Sequence, residues 1–409
     1  MLSLEDVRKA AALLRGRVIR TPLVYSPTFS RMTGAEVYLK LENLQETGSF
    51  KIRGATYKIL SEGNRIGKDG VVAASAGNHA QGVALAASRA GLRSTIVMPE
   101  WSSISKQEAT RGYGGELVLA GQNIADCLNR ARELEASGKT FIHPYDDPGI
   151  IAGQGTVGLE IMEDLPDADV IVAPVGGGGL ISGIAVAARE IRPELRMIGV
   201  QAAACPSASE ALKSGQRLSV EAQRSIADGI AVKQIGEIAF RIIRDKVGEV
   251  VLVDEDRIAE AVLMLIERKK LFAEGAGAVA VAALLSGAFT LFPGQKAVLV
   301  ISGGNMDSPL LDRVLRKGLL RNGRIMRFSI CLDDLPGSLA SLLSIIAQTR
   351  ANVLQIYHNR GGGDLSIYQS LVELEIETRN FKHIAEISGA LKDAGYHIKL
   401  QQRTTIPLA

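Results

Sequence analysis

The stretch DVIVAPVGGGGLISGIAVAARE, residues 169–190, runs from a continuous apolar segment through four glycines into a helix-like segment. An uninterrupted Val/Ile run of this length reads as a strand buried on both faces, as in a parallel sheet. A flexible linker does not sit between a buried strand and the helix that follows it. The glycines therefore predict a turn whose backbone N–H groups can wrap an anion at the helix start. Further strands are expected at 70–75, 94–98, 116–119, 169–173, 196–200, 249–253 and 297–302, with amphipathic helices between many of them, including 77–90 and 123–137. Alternation of this kind over residues 36–320 predicts an α/β fold with a mainly parallel sheet.

After Asp312 the pattern changes. RVLRKGLLRNGR (313–324) is basic and polar and reads as a connector. A strand at 326–332, the turn Asp334-Leu335-Pro336-Gly337 and a helix carrying Leu339, Leu342, Leu343 and Ile346 follow. A strand at 352–358, a turn at Gly361-Gly362-Gly363 and a strand at 365–376 come next. In the last of these, Tyr368, Ser370, Val372, Leu374 and Ile376 share one face and Gln369, Glu373 and Glu375 the other. A helix from about 380 and a strand at 396–400 complete βαββαβ, the ferredoxin-like order. The expected division is 1–316, a linker at 317–325, and a small α+β domain at 326–409.

Composition narrows the function classes. The chain has 409 residues, 46% apolar but 4% aromatic, with 43 glycines and a formal net charge of +3. Such a chain folds around an aliphatic core and offers no basic stripe for nucleic acid. Cys127, Cys205 and Cys331 are too few and too scattered for a disulfide framework or a zinc site, which fits a reduced, cytoplasmic protein. The N-terminus is charged by residue 5 and places Leu4, Val7, Ala11 and Leu14 on one helical face, so it is not read as a signal peptide. Residues 275–295 lack charge, yet are rich in Ala and Gly and lead into a strand, so a buried helix is expected rather than a membrane span.

Three motifs carry chemistry. In Ser49-Phe50-Lys51-Ile52-Arg53-Gly54-Ala55, Lys51 sits among apolar neighbours ahead of a helix; an amine partly withdrawn from water loses preference for its charge and can attack a carbonyl. Ser75-Ala76-Gly77-Asn78-His79-Ala80-Gln81-Gly82 follows a strand and opens a helix, offering backbone N–H groups to a carboxylate, although a plain Ser75 helix cap also explains it. Gly176 to Gly179 with Leu180 form the anion loop. A dinucleotide reading needs G-x-G-x-x-G and an acid after the next strand, where this chain has Gln201; no Lys-Ser/Thr follows the glycines for a P-loop. A phosphate-bearing cofactor that bonds to lysine, pyridoxal 5′-phosphate, fits all three motifs.

With SFKIRGA (49–55), SAGNHAQG (75–82), PVGGGGLISG (174–183), EGAGAVAVAALL (274–285) and ISGGN (301–305) in this order, the chain resembles the fold-type II (tryptophan synthase β-like) pyridoxal-phosphate enzymes, above all the threonine dehydratase (threonine ammonia-lyase) family. The resemblance covers about residues 15–320. It implies that Lys51 bonds to the cofactor aldehyde and later takes the substrate α-proton. It implies that Gly176, Gly177, Gly178, Gly179 and the Leu180 N–H hold the phosphate, that Asn78 meets the ring hydroxyl, and that Ser302 faces the ring nitrogen. A hydroxyl there makes the ring a weaker electron sink than an aspartate would, favouring loss of a β-leaving group. Ser75, Gly77, Asn78 and His79 would bind the substrate carboxylate. The implied reaction turns L-threonine into 2-oxobutanoate and ammonia, and L-serine into pyruvate.

Ala76 stands where racemases of this group carry a second serine, and residues 201–207 offer no carboxylate for their divalent cation, so neither racemisation nor a metal site is expected. The C-terminal region resembles the ACT family of regulatory domains, with Asp334, Gly337 and Asn352 as its marks. An amino-acid effector such as isoleucine or valine, a place in amino-acid metabolism such as isoleucine biosynthesis, and a homo-oligomer (dimer or tetramer) follow from that likeness; a purely dimerising role is its rival. The alternatives for the whole chain are a serine or 3-hydroxyaspartate ammonia-lyase and a catalytically inactive amino-acid sensor.

Overall fold

The computed structural model describes residues 2–361 and 365–401. It divides into two compact units, Met1–Leu311 and Asp312–Ala409.

The first unit is built on two sheets. Its strands are β1 (Leu23–Tyr25), β2 (Glu36–Leu41), β3 (Val71–Ala74), β4 (Ser94–Met98), β5 (Gly115–Leu119), β6 (Thr140–Phe141), β7 (Val170–Pro174), β8 (Arg196–Ala202), β9 (Glu249–Val253) and β10 (Lys296–Ile301). One sheet has the order β1-β2-β10-β7-β8-β9 and is parallel apart from β1. The other, β5-β4-β3-β6, is parallel throughout. The expected α/β class is therefore borne out. β3, β4 and β7 are buried along their whole length, as their unbroken apolar runs require. β5 and β9 lie at sheet edges and are only partly covered.

The chain leaves the larger sheet after β2, builds the smaller one, and returns at β7. β10, added last, is inserted between β2 and β7. The strand order thus switches direction where the loops after β2, β10 and β7 lie side by side. In open α/β sheets this place, at the carboxyl ends of the strands, is where ligands bind.

Small residues let the helices close on one another around this point. The helix Pro148–Asp164 packs on the helix Gly179–Ile191, and a Cβ added to Gly183 would stand 2.4 Å from the Ile151 carbonyl oxygen. A Cβ on Gly153 would stand 2.6 Å from the Gly54 Cα, so the helix that begins at Lys51 is drawn equally close. The residues read as membrane-like form the helix Gly275–Ser286, which is buried over most of its length. No described helix is long and apolar enough to cross a membrane.

The second unit is βαββαβ. β11 (Ile325–Asp333), the helix Ser338–Gln348, β12 (Asn352–Asn359), β13 (Gln369–Glu377), the helix Phe381–Asp393 and β14 (Ile398–Leu400) form an antiparallel sheet in the order β12-β13-β11-β14. Ser370, Val372, Leu374 and Ile376 are buried on one face, as alternation predicts, whereas Tyr368 precedes the strand and is exposed. Glu375, expected on the outer face, is buried beneath Arg316 and Arg327, which both pair with it.

One expectation is corrected. Residues 313–324 are no open connector: most belong to the helix Ser308–Arg321, in which Val314 and Gly318 form a buried stripe and Asp312 pairs with Arg316 one turn on. The basic residues that suggested a linker occupy the outer face of an amphipathic helix, and the turn comes later, at Gly323 with φ +63°. Gly362 and Gly363 of the expected glycine turn lie outside the described residues.

Candidate active site

Lys51 is the first residue of the helix Lys51–Glu62. The segment before it is sutured to the loop after β10. Phe50 N donates to Ser302 O (3.1 Å), Gly304 N to Gly48 O (2.9 Å), and Ser49 and Gly303 form a bridge. Gly48 has φ +68° with the Asn305 side chain pressed against it, so only glycine fits there. The Lys51 Nζ donates to Pro144 O (2.7 Å) and lies 5.2 Å from the centre of the Phe50 ring. Withdrawal from water pushes this amine down to about 8, with the Glu274 carboxyl pulling the other way. A sizeable fraction is then neutral, and therefore nucleophilic, near neutral pH. Capture of pyridoxal phosphate by the apo-protein should accelerate as pH rises and level off above about 8; an ordinary lysine would keep the rate climbing toward pH 10.5, and stopped-flow absorbance distinguishes the two.

Two residues on, Arg53 anchors the same helix. Its guanidinium is completely buried and grips Glu42 through Nε and Nη2 (both 2.8 Å) and Glu160 through Nη1 (2.6 Å) and Nη2 (2.9 Å). Lys40 also pairs with Glu160 (2.6 Å), so two cations and two carboxylates balance inside the fold. The arginine holds the buried Glu42 carboxyl below its usual range despite the cost of burial.

After β7 the chain enters the glycine loop. Gly178 has φ +93° and is the N-cap of the helix Gly179–Ile191, which no side chain caps. Gly177 to Leu180 are buried. A buried helix start whose N–H groups have no side-chain acceptor is costly unless an anion meets them. The Tyr145 ring packs on this loop: a Cβ on Gly177 would fall 2.2 Å from its Cγ.

The loop after β3 faces Lys51 from the smaller sheet. Ser75 Oγ accepts from Gly77 N (3.2 Å), and the N-cap of the helix Asn78–Arg89 is Gly77, with no side-chain cap. The plain Ser75 cap is therefore not what forms, and the first N–H groups of this helix stay open to a carboxylate. The His79 side chain is buried against the Ile142 carbonyl (Nε2 to O 2.9 Å), and burial pushes its imidazole down to about 3, keeping it neutral. What His79 can offer a substrate is its backbone N–H. Asn78 donates to Glu274 (2.6 Å) and accepts from Asn305 (2.8 Å). Ser302 is buried, its hydroxyl only 3.5 Å from Ala276 O.

Lys51, Asn78, Ser302 and the glycine loop are thus brought to one place. The sequence reading missed three contributors: Glu274, Asn305 and the segment His143 to Asp147. The first two lie inside EGAGAV and ISGGN, quoted as motifs but given no role. The third follows β6, and a signal was present: Asp147-Pro148 is a helix start, and Asp147 caps the helix Pro148–Asp164. Asp146 accepts from the N–H groups of Glu237 (2.7 Å) and Ile238 (2.9 Å). Gln201, the residue that spoke against a dinucleotide, is engaged in structure: its Oε1 accepts from Ala208 N and Ser209 N.

The marks in the second unit do not converge. Gly337 has φ +94° and starts the helix Ser338–Gln348, and Asp334 pairs with Arg360 (2.8 Å). Asn352 is in register with Glu377, which pairs with Ile325, at the far end of β11 from Asp334. At roughly 3.4 Å per residue the two marks lie about 30 Å apart along the sheet.

The residues present suit pyridoxal phosphate. The uncapped, buried helix start answers to a phosphate and the partly neutral Lys51 to an aldehyde. Buried Ser49 Oγ has no hydrogen-bond partner, a polar atom left over in a dry pocket.

The family model described as "Pyridoxal-phosphate dependent enzyme" matches residues 14–303. An L-threonine ammonia-lyase from Thermotoga maritima is 49% identical over 98% of this chain and 100% of its own. A catabolic L-threonine dehydratase from Escherichia coli (strain K12) is 46% identical over 76% of this chain and 96% of its own. The crystal structure of a threonine deaminase from the organism abbreviated T.th. superposes with a TM-score of 0.70 at 39% identity, over 75% of this chain and 99% of that one. Fold, site and kinship agree: the chain belongs to the family of pyridoxal-phosphate dependent enzymes.

Proposed function

We propose that this lyase removes water and ammonia from L-threonine, giving 2-oxobutanoate, and acts on L-serine to give pyruvate. The observation that carries the reading is the meeting of a partly neutral, half-buried Lys51 amine with a buried, uncapped helix start, from adjacent edges of one strand-order switch. When bound, pyridoxal phosphate supplies the electron sink that makes the substrate α-proton acidic. The glycine loop would hold its phosphate with backbone N–H groups, and the Ser302 hydroxyl would meet the ring nitrogen. A hydroxyl does not stabilise a positive charge there as a carboxylate would, so elimination is favoured over a long-lived carbanion. The N–H groups at the start of the Asn78 helix would orient the substrate carboxylate. Lys51 Nζ, with its lowered proton affinity, would take the α-proton. Ala76 has no proton to give from the opposite face, which opposes racemisation.

A side-by-side assay of L-threonine, L-serine and 3-hydroxyaspartate tests the substrate reading. The highest kcat/KM is expected for threonine; a clear preference for either of the others assigns the chain to a sister activity.

We infer that the second unit is an ACT-type regulatory domain that binds an amino acid such as isoleucine. Asp334 and Asn352 lie too far apart to share a ligand within one copy, which supports a site formed between two copies, and hence a homo-oligomer. The Escherichia coli relative matches only about three quarters of the chain, which supports a first unit that functions without the second. Three free cysteines support a reduced, cytoplasmic setting. Isoleucine is expected to alter threonine deamination by the whole chain but not by a chain stopped after Arg321, where the connecting helix ends.

A further inference from the structure

Asn305 Nδ2 donates to the main-chain oxygen of Thr47 (2.7 Å). A main-chain carbonyl can only accept, so this bond fixes which end of the Asn305 amide is NH2. The same nitrogen donates to Asn78 Oδ1 (2.8 Å), with Gln81 Oε1 a weaker third acceptor (3.3 Å). Asn78 must therefore point its own NH2 the other way, where Glu274 Oε1 accepts it at 2.6 Å. The orientation of Asn78 is thus passed along a chain of bonds from a backbone oxygen that cannot change its role. The space is built for it: a Cβ on Gly303 would lie 2.5 Å from Glu274 Oε1, and one on Gly48 2.4 Å from Asn305 Oδ1.

We propose that Glu274 and Asn305 are positioning residues for the cofactor's ring hydroxyl, clamping the Asn78 carboxamide from both ends so that it presents an N–H and never its oxygen. This rests on the reading of Asn78 as the partner of that hydroxyl. Asn78 Nδ2 has two hydrogens: one is spent on Glu274 and the other is left for the ring. The charged groups around Glu274 are Lys51 and Lys106, which favour its anion, and Asp228, which opposes it. Burial, with Asp228 second, raises the Glu274 carboxyl to about 8, so it is mostly neutral at pH 7. A neutral acid accepts from Asn78 without setting a second anion beside the ring oxygen.

The test measures cofactor affinity of the refolded or stripped apo-protein by equilibrium dialysis, with the visible spectrum of the bound cofactor alongside. Asn78→Ala examines the underlying reading and should weaken binding by about tenfold, the loss of one buried hydrogen bond. Asn305→Asp keeps the shape but cannot donate, and Glu274→Ala cannot accept; each should weaken binding by a similar factor. Glu274→Gln mimics the neutral acid and should keep most of the affinity, while abolishing any spectral change near pH 8 that stems from Glu274. The double variant Asn78→Ala/Asn305→Asp should bind no worse than Asn78→Ala alone, because Asn305 acts only through Asn78. Additive losses in the double variant, or wild-type affinity in both Asn305→Asp and Glu274→Ala, would overturn the clamp. Wild-type affinity in Asn78→Ala would instead overturn the reading on which it rests.

Discussion

Replacing Lys51 by alanine is expected to lower threonine deamination by at least about 10⁴-fold, the scale seen when a group central to catalysis is deleted. The variant should fold. Lys51 is only the first residue of its helix, its one hydrogen bond is to Pro144 O, and the buried anchor is Arg53, two positions further on. The cause of the loss is chemical. Lys51 is the amine at the site whose proton is loosened to about 8, and no other described lysine is lowered so far. Lys51→Arg separates nucleophilicity from charge. A guanidinium cannot give up its proton near neutral pH, so this variant keeps a cation and should be as inactive as Lys51→Ala. Initial rates on L-threonine, with circular dichroism to confirm the fold, check both. Substantial activity in either variant excludes Lys51 as nucleophile and base.

Arg53→Met is expected to cost about 3–5 kcal/mol of stability, the penalty of leaving buried carboxylates without their counter-charge. Glu42 is fully buried and would retain only Thr21 and Gln45 as partners, and Glu160 would retain Lys40. In a unit of this size that corresponds to a fall in Tm of about 5–10 °C. The pH dependence gives a sharper signature. In the native protein Glu42 is held below its usual range, so its contribution is present above about pH 4.5 and is lost as pH falls. In the variant the buried, unpaired carboxyl moves up instead, and its penalty grows as pH rises through the usual carboxylate range. The gap between native and variant should therefore be wide at about pH 7 and narrow near pH 4. A second change, Glu42→Gln, should restore part of the loss at neutral pH. Thermal unfolding at the two pH values measures this; an equal gap at both would contradict the ion-pair account. Because Arg53 pins the Lys51 helix, the variant is also expected to hold its cofactor less firmly.

Much of this architecture was readable from residues. The unbroken apolar runs of β3, β4 and β7 required cover on both faces and so a parallel sheet. Strict alternation in β13 required a one-sided antiparallel one. The glycine loop was legible because nothing but a ligand explains four glycines between a buried strand and its helix. Periodicity was silent where the site depends on contacts between distant segments. Glu274 at the start of an uncharged helix looks like a common helix cap, and only the fold reveals that it faces Asn78 across 196 positions of sequence. Asn305 and Pro144 act through Thr47 O and on Lys51 Nζ by proximity alone. The helix Ser308–Arg321 was obscured because its buried stripe is only Val314 and Gly318, too thin to stand out among basic residues.

The most direct measurement reduces the pyridoxal-phosphate-loaded protein with borohydride, digests it, and locates the pyridoxyl group by mass spectrometry. Reduction makes the bond between cofactor and lysine permanent, so the map reports which amine carried it. The account predicts one pyridoxyl group per chain, on Lys51, with loss of threonine deamination in step with its incorporation. A pyridoxyl group on another lysine, or none at all in a protein that still deaminates threonine, would contradict it.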